Sequence, residues 1–210
     1  MALKLPRGLY ALVDDGVRAE VPVPEKARWA LAGGARVLQL RLEQTGDRQA
    51  LVWIREVVAA ARPVGAVILV NDRVDLCLVG EADGVHVGDD DLPVEAARRV
   101  LGPGALIGRT VRRLDDIHSA RAHGADHVGL GPVFTTTTKQ VNVPALGLAG
   151  LAAICRESPL PVVGIAGISL ETIGTVAQAG VHAAAVASDW LTAQDPVSRV
   201  QALERAFWGP

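Results

Sequence analysis

Eight short apolar runs, each followed by a stretch of helical periodicity, repeat along this chain with almost no interruption. The runs cover residues 9–13, 37–41, 66–70, 84–87, 106–109, 127–130, 162–165 and 183–187. Helical patterns cover 24–32, 48–61, 74–79, 94–100, 114–122, 148–156 and 170–178, and a closing helix covers 196–207. The runs are continuously apolar rather than alternating, as expected of parallel strands whose outer face is covered by helices. An open doubly wound sheet would leave two edges and rarely repeats its unit so evenly. The expected fold is therefore α/β, a single (β/α)8 TIM barrel with short loops, spanning residues 1–210 as one domain.

Local signals agree with this division. Asp47 and Ser169 are expected as N-caps, Pro93 as a first-turn residue, and Gly33, Gly102, Gly124 and Gly180 as helix ends. Gly34-Ala35, Gly124-Ala125 and Gly180-Val181 fit tight turns entering strands at the bottom of the barrel. With half the residues apolar but only 3% aromatic, Val, Leu, Ile and Ala must fill the core.

A net charge of −2 with no basic run argues against nucleic acid as a partner. No apolar segment approaches the roughly 20 residues of a membrane span, and the first residues lack the apolar region of a secretory signal. Cys77 and Cys155 lie in apolar helical contexts without metal-ligand spacing and are expected as buried, reduced thiols. These features suit a cytoplasmic protein with small-molecule partners, neither nucleic acid nor membrane, and leave a homo-oligomer open.

In such a barrel the strand C-termini form one face, and active sites are built there. Asn71-Asp72 follows the third run and Asp91 follows the fourth, with a helical stretch between them. Two acids at neighbouring strand exits can share one Mg²⁺, which is usually held by one or two carboxylates plus substrate phosphates. Either Asp alone would more often be a helix cap. Together, and beside Asn71, they favour metal, while Asp89 and Asp90 read as solvated bystanders. Gln39 and Arg41, two apart on the second strand, both point inward at its upper end. An Arg in a barrel mouth calls for an anion, phosphate by bidentate geometry or else a neighbouring carboxylate.

After the sixth strand, Gly131-Pro-Val-Phe-Thr135-Thr-Thr-Thr-Lys139 offers four hydroxyls and a lysine on a loop suited to cradle an anion and act as a lid. Three lysines stand against eighteen arginines, so Lys139 carries more weight than in a lysine-rich chain. The seventh and eighth strands end near Gly167 and Ala187-Ser188, small residues whose backbone N–H groups can approach a phosphate. Thr110 adds a hydroxyl, and His86 is either a satisfied core histidine or a wall of the site. Two anion zones at one mouth suit the joining of a diphosphate to a phosphorylated partner.

At these positions the chain resembles thiamine phosphate synthase over nearly its whole length. The resemblance rests on Gln39-Leu-Arg41, Val70-Asn-Asp72 with Arg73-Val-Asp75, and Ala82-Asp-Gly-Val-His-Val-Gly88 leading to Asp91. It continues in Gly108-Arg-Thr110, Gly129-Leu-Gly-Pro-Val-Phe134 with Thr136 to Lys139, and Pro161-Val-Val-Gly-Ile-Ala-Gly-Ile168. It implies a transferase that joins hydroxymethylpyrimidine diphosphate to thiazole phosphate, giving thiamine phosphate and pyrophosphate. It also implies Mg²⁺ held by Asp72 and Asp91, with Arg41, Thr110 and Lys139 catalytic. Gln39, Arg41, Asn71, Thr110 and Lys139 would contact the diphosphate substrate, with Leu40, Leu42 and Glu43 in the same segment. Thr136, Thr137, Thr138, Gly167, Ala187 and Ser188 would cradle the thiazole phosphate.

Three positions depart from the family pattern. Glu43 stands where a lysine is usual, Thr110 replaces a serine, and Ala166 replaces the first of two glycines. A carboxylate at 43 would repel a diphosphate unless it turns away. Of the rival activities, a TenI-like thiazole tautomerase is opposed by Pro132, which stands where that group carries a histidine and cannot shuttle a proton. A non-catalytic phosphate-ligand-binding barrel has little need for a metal pair. Other phosphate-handling isomerase barrels want an acid/base pair on strand ends, and none is evident.

Overall fold

The structure, a computed structural model, describes residues 3–135 and 144–209. Eight parallel strands close into a barrel in chain order: β1 (Gly8–Asp14), β2 (Val37–Arg41), β3 (Val67–Asn71), β4 (Gly84–Val87), β5 (Leu106–Val111), β6 (His127–Leu130), β7 (Val162–Gly164) and β8 (Ala183–Val186). Closure comes from β8 pairing with β1, from Gly8 opposite Ala183 to Ala11 opposite Val186. Nine α-helices lie among the described residues: α1 (Val23–Ala32), α2 (Asp47–Ala61), α3 (Val74–Val79), α4 (Val94–Leu101), α5 (Leu114–Ala122), α6 (Gly147–Glu157), α7 (Ile173–Gln178), α8 (Ser188–Leu191) and α9 (Pro196–Trp208). The observed fold is the expected (β/α)8 barrel. No helix among the described residues is long and apolar enough to cross a membrane.

Strand side chains alternate between two cores, as the period of two requires. Leu38, Leu40, Ile68, Val70, Ile107 and Val128 pack outward against the helices. Tyr10, Val37, Val67, Leu69, Leu106, Val163, Ala183 and Ala185 fill the barrel, together with Leu5 from the segment before β1. The inward positions change character along each strand. They run Val37, Gln39, Arg41 on β2, then Val67, Leu69, Asn71 on β3, and Leu106, Gly108, Thr110 on β5. The interior is thus apolar at the strand N-termini and polar at the C-termini, which fixes the end where a site can open.

The tight turns entering strands are built on glycine for a backbone reason. Gly34, Gly124 and Gly180 hold φ of +102°, +94° and +96°, a region that costs any residue with a Cβ.

Several local expectations give way to competing interactions. Asp47 does not cap α2; Gly46 holds that position, and the Asp47 carboxylate takes Arg73 Nη1 at 2.7 Å from the exposed first turn. Ser169 opens a turn instead of a helix, because its carbonyl accepts from the N–H groups of Thr172 and Ile173. As a result α7 starts only at Ile173. The four-residue α8, not expected as a separate helix, follows β8 where the buried Trp190 indole donates to the Val186 carbonyl at 3.0 Å. Both thiols are free, but Cys155 is only partly buried, whereas Cys77 lies in the core.

Candidate active site

The C-terminal rim gathers four of the expected polar residues, Gln39, Arg41, Asn71 and Asp72, into one hydrogen-bonded row. Gln39 Nε2 donates to Asn71 Oδ1 at 2.6 Å, and Arg41 Nη1 donates to the same oxygen at 3.4 Å. Asn71 Nδ2 in turn donates to Asp72 Oδ2 at 2.6 Å. The row fixes which way the Asn71 amide faces and links the cationic side of the mouth to its acidic side. Leu40 and Leu42 lie on the opposite face of the same segment and pack into the barrel–helix core, so their side chains do not reach the mouth.

Arg41 has carboxylate partners as well. Its Nε meets Asp14 Oδ2 at 3.0 Å, and its Nη2 meets Glu43 Oε1. Arg41 is not sealed in the apolar interior: its side chain stays 22% exposed, at the rim. Glu43 does not turn away from the anion zone, then, but caps the terminal nitrogen that would otherwise face an anion. Asp14 was not anticipated. The signal was present in Val13-Asp14-Asp15, an acid at a strand exit like Asp72, and the register places Asp14 directly opposite Arg41.

Neither Asp72 nor Asp91 caps a helix, since Arg73 and Pro93 hold those positions on α3 and α4. The Asp72 backbone adopts φ +61°, a left-handed conformation that Asp tolerates better than most residues. Its N–H is pinned to the His86 carbonyl on β4 at 2.8 Å. Asp91 is held by a tight turn in which Gly88 N donates to its Oδ2 at 2.6 Å. The two carboxylates therefore face each other across neighbouring strand exits. Burial first, and then the hydrogen bond and charge of Asp91, push the Asp72 carboxyl up to about 7, against a downward pull from Arg41.

This arrangement fits a divalent cation, which would relieve the carboxylate repulsion. No group of three or more His, Cys, Asp or Glu ligands occurs among the described residues. Remaining coordination would come from water and substrate oxygens. Asp89 is not a solvated bystander: it pairs with Arg109 at 2.7 Å and with Arg112. These pairs line one side of a cavity of about 650 Å³ that meets the mouth at Asp91 and Thr110.

Thr110 faces inward from β5, and its Oγ1 lies 3.0 Å from His86 Nε2, so His86 is a wall of the site as well as a core residue. Across the rim, the exits of β6 and β7 are stitched together, with Val133 N on Ile165 O at 2.9 Å and Phe134 N on Ala166 O at 3.2 Å. A Cβ on Gly167 would lie 2.7 Å from Phe134 Cβ and from the Thr135 carbonyl. Leu170 N reaches Asp189 Oδ2 at 3.3 Å, which brings the loop carrying Gly167 beside α8 and Ser188. Ala187, just before α8, is in a non-helical conformation. Thr136, Thr137, Thr138 and Lys139 lie outside the described residues.

The chain is similar to known proteins over nearly its whole length. The sequence model of the thiamine monophosphate synthase family matches residues 9–189. A thiamine-phosphate synthase of Myxococcus xanthus is 56% identical over 97% of this chain and 93% of its own length. One from Anaeromyxobacter dehalogenans is 46% identical over 95% of this chain and 87% of its own. Among solved structures, a thiamine phosphate pyrophosphorylase from Pyrococcus furiosus superposes with a TM-score of 0.87 at 32% identity, covering 96% of this chain and 95% of that one.

Proposed function

The chain belongs to the thiamine monophosphate synthase family, and on that premise we propose how its barrel mouth works. The activity is the condensation of hydroxymethylpyrimidine diphosphate with thiazole phosphate to give thiamine phosphate and pyrophosphate. The observation that carries the proposal is the pair of facing carboxylates, Asp72 and Asp91, one hydrogen bond from the row that ends in Arg41.

In this reading Asp72 and Asp91 hold Mg²⁺, which when bound neutralises charge on the diphosphate leaving group. Gln39, Arg41 and Asn71 position the diphosphate, and Thr110 donates to it. Lys139 is assigned to the same group by the family resemblance. Gly167, Ala187 and Ser188 offer backbone N–H groups to the thiazole phosphate, and Thr136, Thr137 and Thr138 are assigned to the same phosphate by the family resemblance. The bond from the pyrimidine methylene to oxygen breaks, and the thiazole nitrogen supplies the pair for the new bond. No strong base is required, and the arrangement of donors does the work. The test is pyrophosphate release with both phosphorylated halves, in Mg²⁺ and after chelation. Release that survives chelation, or needs only one of the halves, would contradict the reading.

Two further outcomes follow. Because the Asp72 carboxyl is raised to about 7, a proton competes with the cation below that pH. The apparent Kd for Mg²⁺ is expected to rise by up to about tenfold per unit as pH falls from 7, and to level off above it. Calorimetry between pH 5.5 and 8.5 checks this, and a flat profile counts against Asp72 as a ligand. For Glu43, 57% exposed in its pair with Arg41, the ion pair itself is weak and opens easily. Its charge still opposes an incoming diphosphate. Glu43→Lys is expected to lower the KM for the diphosphate substrate about 3- to 10-fold, and an unchanged or higher KM shows that Glu43 does not oppose binding.

A further inference from the structure

Inside the barrel, next to the Thr110 rim position, four buried polar atoms have no hydrogen-bond partner among the described residues. They are the Tyr10 hydroxyl, His86 Nδ1 and both ring nitrogens of His127. Buried polar groups in folded proteins are nearly always paired, so a cluster of four calls for an account.

The three side chains adjoin one another. Strand register puts His86, Gly108 and His127 in one row across β4, β5 and β6. Gly108 is what lets both rings fit, because a Cβ there would stand 2.3 Å from His127 Nε2 and 2.4 Å from His86 Nδ1. The two nitrogens therefore converge over the same glycine, with ring centroids 5.7 Å apart. Tyr10 on β1 approaches His127, with ring centroids 6.2 Å apart. At the other end His86 Nε2 contacts Thr110 Oγ1.

Among the described residues no carboxylate is hydrogen-bonded to either ring, and burial disfavours an uncompensated charge, so both imidazoles are neutral. A neutral imidazole has one N–H and one lone pair, so the polarity of one link sets the next. Tyr10 sets the first. Its hydroxyl is fully buried and burial keeps it protonated, so its proton needs an acceptor. Donated to His127 Nδ1, directly or through one water, it leaves the His127 proton on Nε2. That N–H converges with His86 Nδ1 over Gly108 without a direct hydrogen bond, and one water between them carries the link, so the His86 proton sits on Nε2 and is donated to Thr110 Oγ1. The threonine's own hydrogen is then free for the mouth. In the reverse polarity the Tyr10 hydroxyl and His127 Nδ1 would both be donors facing each other, and a water between them would be left with its own hydrogens unpaired.

We infer that Tyr10 and His127 are positioning residues for the synthase reaction: acting through His86, they hold the Thr110 hydroxyl as a donor toward the diphosphate. Only the last link rests on the proposed role of Thr110; the others stand on the interior geometry.

Nitrogen-15 spectra of histidine-labelled protein without ligand read the tautomers directly, with signals assigned from single His→Asn variants. The expected result is a proton on Nε2 of both His86 and His127. In Tyr10→Phe, which keeps the ring and removes only the donor, both rings are expected to populate the Nδ1–H form. The KM for the diphosphate substrate should rise about 3- to 10-fold, the equivalent of one hydrogen bond, with the KM for thiazole phosphate unchanged. In a Thr110→Val background the same substitution should leave the diphosphate KM where it is. A wild-type His86 proton on Nδ1, or tautomers unmoved in both Tyr10→Phe and His127→Phe, overturns the relay. Shifted tautomers with an unchanged KM uphold the relay inside the barrel and remove Thr110 from the diphosphate site.

Discussion

Asp72→Asn is expected to lower kcat/KM for pyrophosphate release by at least about 1,000-fold while the protein melts no lower than wild type. Asparagine is the sharper choice over alanine. It tolerates the left-handed φ of +61° at this position and still offers an oxygen to Asn71 Nδ2, so the backbone and the polar row stay in place. What disappears is one of two like charges pressed together and, with it, half of the proposed cation site. The stability effect has a definite sign. An acid raised to about 7 in the folded protein binds its proton more tightly there than when unfolded, so ionising it as pH rises toward 7 takes stability away. Asparagine removes that loss, and its advantage should be largest above about pH 7 and absent below the ordinary carboxylate range. Thermal melts at pH 8 add a second reading, because Mg²⁺ should raise the wild-type midpoint and leave the variant's unmoved. A variant within tenfold of wild-type kcat/KM at saturating Mg²⁺ would show that the cation is held elsewhere.

The barrel was legible because one period, repeated eight times, leaves few ways to bury both faces of its strands. The same period made the rim residues legible: with Gln39 inward, Arg41 and Glu43 follow on the same face, and Leu40 and Leu42 fall on the other. Partners were not legible. Arg41 finds Asp14 because strand register sets β1 against β2, and nothing local to either residue announces that pairing. As a pair Asp72 and Asp91 favour metal in the sequence, although either alone reads more often as a cap. The distinction lies in where each helix begins, one or two residues that local propensity does not resolve. The same limit explains Asp47, Ser169 and Asp89, where an ion pair or a turn won over the expected cap or solvated side chain. The buried row of Tyr10, His127 and His86 was the least visible part, because it joins β1, β4 and β6 across the interior.

A second large effect is expected at a residue that the sequence marked only by its rarity. Lys26 is one of three lysines and is fully buried, on α1. Its Nζ donates to the carbonyls of Asp14 at 2.9 Å and Val17 at 2.5 Å, at the exit of β1. Burial pulls its pKa down, and the nearby charges of Asp14, Asp15 and Glu20 hold it up, so the ammonium is kept in place by the loop it organises. Lys26→Met fills nearly the same volume and removes the charge and both hydrogen bonds. Two inward-facing carbonyls then lose their donor, a loss on the order of 3 kcal/mol. In a domain of this size that lowers the melting midpoint by roughly 6–12 °C. Lys26→Arg should not restore it, since a planar fork does not fit a point held by two carbonyls. The effect should also reach the mouth. Asp15 accepts from Gln44 N and from Thr45 Oγ1, each at 2.8 Å, and so ties the β1 exit to the loop that carries Glu43. Asp14 on the same exit holds Arg41, so loosening it should raise the KM for the diphosphate substrate more than that for thiazole phosphate. Lys4→Met, at an exposed position, is the control and should melt like wild type. If Lys26→Met melts within about 2 °C of wild type, less than 1 kcal/mol for a chain of this length, the buried ammonium is not what anchors the β1 exit.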